Sequence, residues 1–177
     1  MTKANLADIQ LLVLDVDGVL TDGTLIINAD GSESKSFNVL DGHAIRMWQR
    51  AGLKVAFLSG RFSEATKHRA EQLEVDCCAQ DCFEKLPALK KLLEQLGIAA
   101  NKTAYIGDDL LDLPVIMYVG FGAAVANAVD EVKDTADYVT THSGGNGAVR
   151  EVIEYILKNT GRWSELMKRY LPDSETP

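Results

Sequence analysis

Short apolar runs alternate along the chain with longer stretches of helical periodicity. The runs are Gln10–Leu14, Lys54–Leu58, Val75–Ala79, Thr103–Ile106, Val119–Phe121 and Asp137–Val139. Most of their residues are apolar at successive positions, which is typical of strands buried on both faces. The pattern therefore predicts a set of short, fully buried strands.

The segments between these runs have the spacing of amphipathic helices. Helices are predicted for Asp41–Ala51, Ser63–Leu73, Lys85–Leu96, Asp109–Met117, Asp130–Ala136 and Ala148–Asn159. Leucines at 86, 89, 92, 93 and 96 form one apolar stripe, and Gly97 then provides a C-terminal stop. This alternation indicates an α/β fold, a Rossmann-like three-layer sandwich with a central parallel sheet. The length of 177 residues favours a single domain over residues 1–177.

Residues Thr24–Asn38 interrupt this alternation. Asp30-Gly31 is a turn signal, and Leu25 and Ile27 alternate with their neighbours, so the segment is predicted to be an inserted β-hairpin. An isolated hairpin is only marginally stable in water. It must therefore pack on its own domain or on another subunit.

The C-terminal tail, Gly161–Pro177, has apolar residues among charges. Leu166, Met167 and Tyr170 lie at helical spacing, which predicts a short amphipathic helix with a frayed end. A tail that packs on a neighbouring subunit is the alternative.

Composition narrows the possible partners. The chain has 18 Lys and Arg against 26 Asp and Glu, a formal net charge of −8. Such a charge disfavours nucleic acid and anionic membranes as partners, while a local cluster of cations still allows a small phosphorylated ligand. There is no signal peptide pattern and no long apolar run, so we expect a soluble cytoplasmic protein.

The cysteines lie close together at positions 77, 78 and 82. An odd number disfavours a disulfide framework. Soft metal ligation is the alternative to plain structural thiols, but no fourth ligand stands at zinc-site spacing.

Three polar clusters follow predicted strands, at the sheet edge where open α/β folds bind ligands. Asp15-Val16-Asp17-Gly18-Val19-Leu20-Thr21 follows the first strand, and an extended chain would point Asp15 and Asp17 to the same side. Two close carboxylates repel unless a cation or a shared proton lies between them. Gly18 allows the backbone to turn and brings amide groups towards an anion.

The other clusters have complementary chemistry. Ser59-Gly60-Arg61 offers a hydroxyl and an amide for a phosphate oxygen, and Gly107-Asp108-Asp109 with Asp112 adds carboxylates. Lys85, at the start of a helix, is a candidate point charge for phosphate. Taken singly, each has an ordinary explanation, such as a helix N-cap for Asp109 or a solvated helix residue for Lys85. Taken together, the hard carboxylate oxygens favour Mg²⁺.

These residues resemble the four motifs of the haloacid dehalogenase superfamily of phosphotransferases, in the same chain order. The resemblance implies that Asp15 is the nucleophile and Asp17 the general acid and base. It implies that Mg²⁺ is held by Asp15, by the backbone carbonyl of Asp17 and by Asp108. Ser59 and Lys85 would bind the phosphate, with Asp109 and Asp112 in or near the second ligand shell.

Within that superfamily the chain resembles the capless phosphatases of 3-deoxy-D-manno-octulosonate 8-phosphate. The matching runs are Asp15–Gly23, Lys35–Gly42, Leu58–Arg61, Ala104–Pro114 and Gly144–Glu151. No insertion is long enough for a cap domain. The resemblance implies a homotetramer, in which the hairpins assemble at the centre and a neighbour helps to cover the site.

The same resemblance suggests the groups that bind substrate. These are Gly18, Gly60, Arg61 and Arg69, and Arg61 in particular favours an eight-carbon sugar acid over nine-carbon sialic-type 9-phosphates. Asn146 departs from the pattern, because the glycine run often carries a basic residue there.

The sequence leaves three alternative functions open. One is a phosphatase for a nine-carbon sugar acid 9-phosphate. Another is a phosphorylatable receiver domain, which the spacing disfavours because Gly107-Asp108-Asp109 follows too late a strand. The last is a non-catalytic oligomerisation module.

Overall fold

The computed structural model describes residues 5–171. Its strands are β1 (Leu11–Leu14), β2 (Ile26–Ile27), β3 (Glu33–Ser34), β4 (Lys54–Leu58), β5 (Cys77–Ala79), β6 (Thr103–Gly107), β7 (Phe121–Ala124) and β8 (Tyr138–Val139). Six of them form one parallel sheet in the order β5-β4-β1-β6-β7-β8. β1 lies inside the sheet, and all of its side chains are buried, as its uninterrupted apolar sequence predicts.

Helices cover this sheet. They are α1 (Val39–Arg50), α2 (Glu64–Leu73), α3 (Lys85–Leu96), α4 (Leu113–Ile116), α5 (Asp130–Thr135), α6 (Ala148–Asn159) and α7 (Trp163–Met167). α1 packs against α6 and α2, whereas α3 packs against α4, which contacts α5. The predicted α/β sandwich with a parallel sheet is therefore confirmed. Gly97 ends α3 with a φ of +67°, as its sequence position indicated.

Several predicted boundaries are shifted by one or two residues, and two elements differ further in position or in type. The strand predicted at Val119–Phe121 is β7, which begins at Phe121 and runs through small residues without a β-branched signal. The helix predicted at Asp109–Met117 is a 3-10 turn, Leu110–Asp112, followed by the short α4. Asp109 caps this turn, and the Asp112 side chain reaches back to the Asp109 amide, which tightens the start.

The inserted segment forms a hairpin with very short strands, β2 and β3. Gly31 has a φ of +83°, and its amide donates to the Asn28 carbonyl at 2.9 Å. Leu25, Ile26 and Ile27 expose 47%, 45% and 61% of their surface, so apolar side chains on both faces of β2 lack cover within the described chain.

The tail packs on its own chain as far as the structure describes it. The Tyr170 hydroxyl lies 2.5 Å from Arg50 and 3.0 Å from Nε2 of His43, both on α1. Residues 172–177 of the predicted tail lie outside the described residues. Nowhere in residues 5–171 does a helix combine the length and the apolar character that a membrane span requires.

Candidate active site

The carboxyl ends of β1, β4 and β6 meet at one cavity of about 170 Å³. Its lining comprises Asp15, Asp17, Ser59, Gly60, Arg61, Lys85, Asp108, Asp109 and Leu111. Residues from all three predicted clusters, together with Lys85, are thus brought together. A larger open groove of about 640 Å³, which includes Arg46 and Lys54, contains none of these carboxylates.

Asp15 lies directly after β1 with its side chain only 8% exposed. Oδ1 accepts the Val16 amide at 2.7 Å, and Oδ2 lies 2.8 Å from Nζ of Lys85. Burial and the nearby Asp112 charge raise the pKa of Asp15 to about 6, although Lys85 opposes the shift. The fold therefore holds a carboxylate in a fixed orientation and in an environment that disfavours its charge.

Lys85 bridges two buried carboxylates at the start of α3. Its Nζ also lies 2.5 Å from Oδ1 of Asp112, and the same oxygen accepts the Tyr105 hydroxyl at 2.6 Å. Burial lowers the pKa of Lys85, whereas the negative charges of Asp15 and Asp112 and their hydrogen bonds raise it. The net effect is a pKa above the usual value, so the ammonium group keeps its charge. Tyr105 was not among the predicted site residues, because nothing in an apolar strand marks one tyrosine as a hydrogen-bond donor.

Asp112 is fully occupied as a positioning group. Its Oδ2 accepts the amides of Asp108 and Asp109 at 2.9 and 3.1 Å, while Oδ1 accepts Lys85 and Tyr105. Asp112 therefore orients the neighbouring acidic loop, and its place in the second ligand shell of a metal stays a prediction.

Asp108 provides the clearest sign of a cation. Carboxylate oxygens of Asp15, Asp108 and Asp112 all lie within 4.8 Å of one another, and Oδ1 of Asp108 is buried without a hydrogen-bond partner. Burial and the charges of Asp15 and Asp112 raise the pKa of Asp108 to about 8. A divalent cation would satisfy the orphaned oxygen and relieve the repulsion, so these residues fit a hard metal ion such as Mg²⁺.

Gly18 permits this approach of Asp108 to the first loop. Its φ is +89°, and a Cβ at this position would lie 1.9 Å from Oδ2 of Asp108. Thr21 closes the loop, since its Oγ1 accepts the amide of Gly18 at 3.3 Å. The glycine at this position is required both by the backbone and by the carboxylate beside it.

The loop before α6 forms a wall behind this turn. A Cβ at Gly144 would lie 1.7 Å from the Gly18 carbonyl oxygen, and the Gly145 amide donates to the Val19 carbonyl at 2.9 Å. Asn146 next to them does not line the cavity.

Asp17 is in the cavity wall, but its side chain is engaged by the hairpin. Lys35 donates from Nζ to Oδ1 of Asp17. Glu33, on β3, lies 2.9 Å from Lys35 through Oε1 and accepts Arg61 Nη2 at 2.6 Å through Oε2. Lys35 and Glu33 had no predicted role, because only the folded hairpin brings them to Asp17.

Ser59 and Gly60 line the cavity after β4. Ser59 is 2% exposed, and its Oγ accepts the Arg61 amide at 3.2 Å, which fixes the turn. A Cβ at Gly60 would lie 3.9 Å from the Cys82 carbonyl oxygen and from the Leu111 side chain, which is an ordinary van der Waals contact.

Arg69 does not line this cavity. Its guanidinium donates to the Asn38 carbonyl at 3.3 Å and to Gln72 at 2.7 Å, and it lies over the Phe37 ring. Within the described chain it belongs to a separate shallow groove between α1 and α2.

The cysteines lie outside the cavity as well. All three are free thiols, and burial raises the pKa of each, to about 11 for Cys78. They are therefore protonated at neutral pH, the form that binds metals poorly.

Comparisons with known proteins agree with this geometry. The haloacid dehalogenase-like hydrolase family matches residues 79–153. The 3-deoxy-D-manno-octulosonate 8-phosphate phosphatases KdsC of Salmonella typhi and Haemophilus influenzae are 44% and 43% identical to the chain. These matches cover 93% and 92% of the chain, and 87% and 90% of the relatives.

Solved structures extend the agreement to the fold. The 3-deoxy-D-manno-octulosonate 8-phosphate phosphatase of Moraxella catarrhalis, solved in complex with magnesium, phosphate and 3-deoxy-D-manno-octulosonate (KDO), superposes with a TM-score of 0.91. It is 40% identical, and the match covers 94% of this chain and 95% of that one. The cobalt-bound phosphatase of Haemophilus influenzae has a TM-score of 0.85 at 43% identity, over 88% and 91% of the two chains.

Proposed function

The chain belongs to the 3-deoxy-D-manno-octulosonate 8-phosphate phosphatases of the haloacid dehalogenase-like hydrolases, and on that premise we propose that it hydrolyses this sugar acid phosphate. The products are 3-deoxy-D-manno-octulosonate and phosphate, a step in the synthesis of a lipopolysaccharide precursor. The observation that carries the proposal is the buried Asp15 carboxylate beside Lys85 and the unpartnered Asp108 oxygen in one cavity.

Asp15 is the nucleophile of the first step. An oxygen of its carboxylate attacks phosphorus, the bond from phosphorus to the sugar oxygen breaks, and an aspartyl phosphate forms. Lys85, held against Asp15 at 2.8 Å, offsets the repulsion between carboxylate and phosphate dianion. The Ser59 hydroxyl and the backbone around Gly60 bind phosphate oxygens at the cavity wall.

Asp17 transfers the protons. In its acid form it protonates the leaving sugar oxygen, and as the resulting carboxylate it takes a proton from the water that attacks the aspartyl phosphate. Hydrolysis releases phosphate and regenerates the Asp15 carboxylate. The position of Asp17 in the cavity wall, two residues after Asp15, supports this role.

Asp15, Asp108 and the main-chain carbonyl of Asp17 are the groups proposed to hold Mg²⁺. The cation supplies charge neutralisation for the phosphate and the clustered carboxylates when it is bound. Asp109 and Asp112 support these groups from behind, and the hydrogen bonds of Asp112 to the loop amides are consistent with that role.

Arg61 is the proposed contact for the sugar acid. It lines the cavity, and its side chain is 43% exposed, which leaves donors accessible to a carboxylate or hydroxyl. Arg69 lies outside this cavity in the described chain, and its proposed contact with the sugar acid would be made in a site completed by another subunit.

The proposed assembly is a homotetramer built on the hairpins, in a cytoplasmic enzyme. The exposed side chains of Leu25, Ile26 and Ile27 support the assembly, and the free thiols support a reducing compartment. The acidic chain remains a poor match for nucleic acid or an anionic membrane.

Phosphate release with Mg²⁺ tests the function. We compare 3-deoxy-D-manno-octulosonate 8-phosphate with a nine-carbon sugar acid 9-phosphate. We expect kcat/KM to favour the first by more than about tenfold, which corresponds to about 1.4 kcal/mol. The reverse preference would keep the mechanism and replace the substrate, and no release from either would contradict the proposal.

A further inference from the structure

Lys35 is a buried cation outside the residues to which a role has been given. Its side chain is 1% exposed, although it lies in the hairpin segment just after β3. Its ammonium group contacts the Asp17 carboxylate and lies 2.9 Å from Oε1 of Glu33. The contact with Glu33 is an ion pair without hydrogen-bond geometry, so the hydrogen bond of the lysine is directed to Asp17.

Burial of an ammonium group is costly unless carboxylates compensate it. A hairpin that served only as an anchor could use apolar contacts at this position. The presence of two carboxylates around Lys35, one of them in the cavity wall, instead connects the hairpin with the reacting groups.

The connection continues to the substrate side of the cavity. Glu33 Oε2 accepts Arg61 Nη2 at 2.6 Å. Burial raises the pKa of Glu33, whereas the positive charges of Lys35 and Arg61 lower it by more. The pKa of Glu33 is therefore below its usual value, and the side chain is charged at neutral pH. Asp17, Lys35, Glu33 and Arg61 thus form one connected chain of alternating acidic and basic side chains.

We propose that Lys35 is a positioning residue that holds the Asp17 carboxyl group through Oδ1 and so aims it at the leaving-group oxygen, and that through Glu33 it places Arg61 in the cavity wall. The hairpin is then part of the catalytic apparatus of each subunit, in addition to any role in assembly. This inference rests on the proposed function, because it acts through the proton transfer assigned to Asp17.

Substrates with different leaving groups distinguish this positioning role from a purely structural role of Lys35. A sugar or glycerol alkoxide needs a proton from Asp17, whereas p-nitrophenolate is stable and leaves without one. Misplacement of Asp17 should therefore slow alkyl phosphates much more than p-nitrophenyl phosphate. A general loosening of the site should slow both alike.

The test compares kcat/KM for Lys35→Met on both kinds of substrate, since this ratio reports the first phosphoryl transfer. We expect a loss of about 100-fold with 3-deoxy-D-manno-octulosonate 8-phosphate and with glycerol 3-phosphate, against less than about threefold with p-nitrophenyl phosphate. Lys35→Arg, which keeps charge and donors, should recover part of the loss.

A double-mutant cycle tests whether Lys35 acts through Asp17. In an Asp17→Asn background, Lys35→Met should have almost no further effect on glycerol 3-phosphate turnover. Lys133→Met is the matched control, because Lys133 pairs with Asp130 on α5 and does not line the cavity. Its activity should equal that of the wild type.

Glu33→Gln tests the second half of the connection. We expect KM for the octulosonate substrate to rise several-fold, with little change for p-nitrophenyl phosphate, which has no sugar acid to engage Arg61. Equal losses on all substrates for Lys35→Met, or additive losses in the cycle, would overturn the inference. If the wild type ignores the octulosonate but cleaves glycerol 3-phosphate, only the proposed substrate fails, and the Lys35 comparison still gives its result.

Discussion

The Lys85 ammonium group lies 2.8 Å from the Asp15 carboxylate, so a cation at the start of α3 directly contacts the proposed nucleophile at the end of β1. Both groups are buried, and each compensates the desolvation of the other. Loss of the carboxylate and loss of the ammonium group should therefore change the stability of the metal-free protein in opposite directions.

Asp15→Asn should abolish turnover and leave the fold intact. The amide cannot form an acyl phosphate, whereas removal of a carboxylate from a cluster whose charges repel should raise metal-free stability by about 1 kcal/mol. Phosphate release and urea unfolding without Mg²⁺ measure the two effects. Residual activity near that of the wild type would exclude Asp15 as the nucleophile.

Lys85→Met should have the opposite effect on stability. It leaves the carboxylates of Asp15 and Asp112 buried without their cation, so metal-free unfolding free energy should fall by about 3–5 kcal/mol. Turnover should fall by about 10²–10³-fold. Lys91→Met, on the exposed side of the same helix, is the control and should change neither quantity. An unaltered rate in the Lys85 variant would refute its contact with the phosphate.

The metal-free protein should lose stability as the pH rises from about 4 to about 8. The pKa values of Asp15 and Asp108 are raised to about 6 and about 8 from 3.8, so the folded state binds protons more tightly than the unfolded state. A tenfold difference in proton affinity between the two states corresponds to about 1.4 kcal/mol. Urea unfolding at pH 5 and pH 8 measures the slope.

Saturating Mg²⁺ should largely remove this slope, because a bound cation favours the charged carboxylates. A metal-free stability that increases over the same pH range would contradict the repulsive cluster. So would a slope that Mg²⁺ leaves unchanged.

Gly18→Ala should disable the site through Asp108. The new Cβ would overlap Oδ2 of Asp108, and its φ of +89° adds strain of about 1–2 kcal/mol. Gly52→Ala is the matched control, since Gly52 has a φ of +78° and open space around it. We expect both variants to lose stability, and only Gly18→Ala to lose activity, by at least about 100-fold. Similar kinetics in both would rule out a close fit between Gly18 and Asp108.

Ile27→Glu should weaken the proposed tetramer. Ile27 is 61% exposed on the hairpin, and burial of such a side chain contributes about 1.5–3 kcal/mol per subunit. Light scattering coupled to size-exclusion chromatography measures the mass. Met117→Glu alters an exposed apolar residue outside the hairpin and should keep the wild-type mass. A tetramer that survives Ile27→Glu would place the interface elsewhere.

The parts of the fold that were predictable from sequence are those with strong local patterns. Leu11–Leu14 is apolar throughout, Lys54–Leu58 is apolar after Lys54, and Lys85–Leu96 has a leucine stripe, so the hydrophobic pattern was sufficient to predict these elements. β7 was misplaced because Gly122 and the following alanines have little strand propensity of their own.

The site shows the same division. The clusters at 15–21, 59–61 and 107–112 stand next to strand ends, so parallel topology alone placed them together. Lys35 and Tyr105 were missed because their partners are distant in sequence, and neither residue type signals a buried polar contact without tertiary structure. The remote position of Arg69 was also invisible, since helix periodicity does not say which groove a long side chain enters.

The wall formed by Gly144 and Gly145 has a consequence for biosynthesis. Every proposed catalytic carboxylate is translated well before this pair, yet the turn at Gly18 rests against it. In a nascent chain that has folded its first strands, the loop that carries Asp15 and Asp17 therefore lacks this support until Gly144 and Gly145 have been synthesised. Catalytic competence then arises late in translation, and a chain truncated before residue 144 should be an inactive by-product whatever its remaining structure.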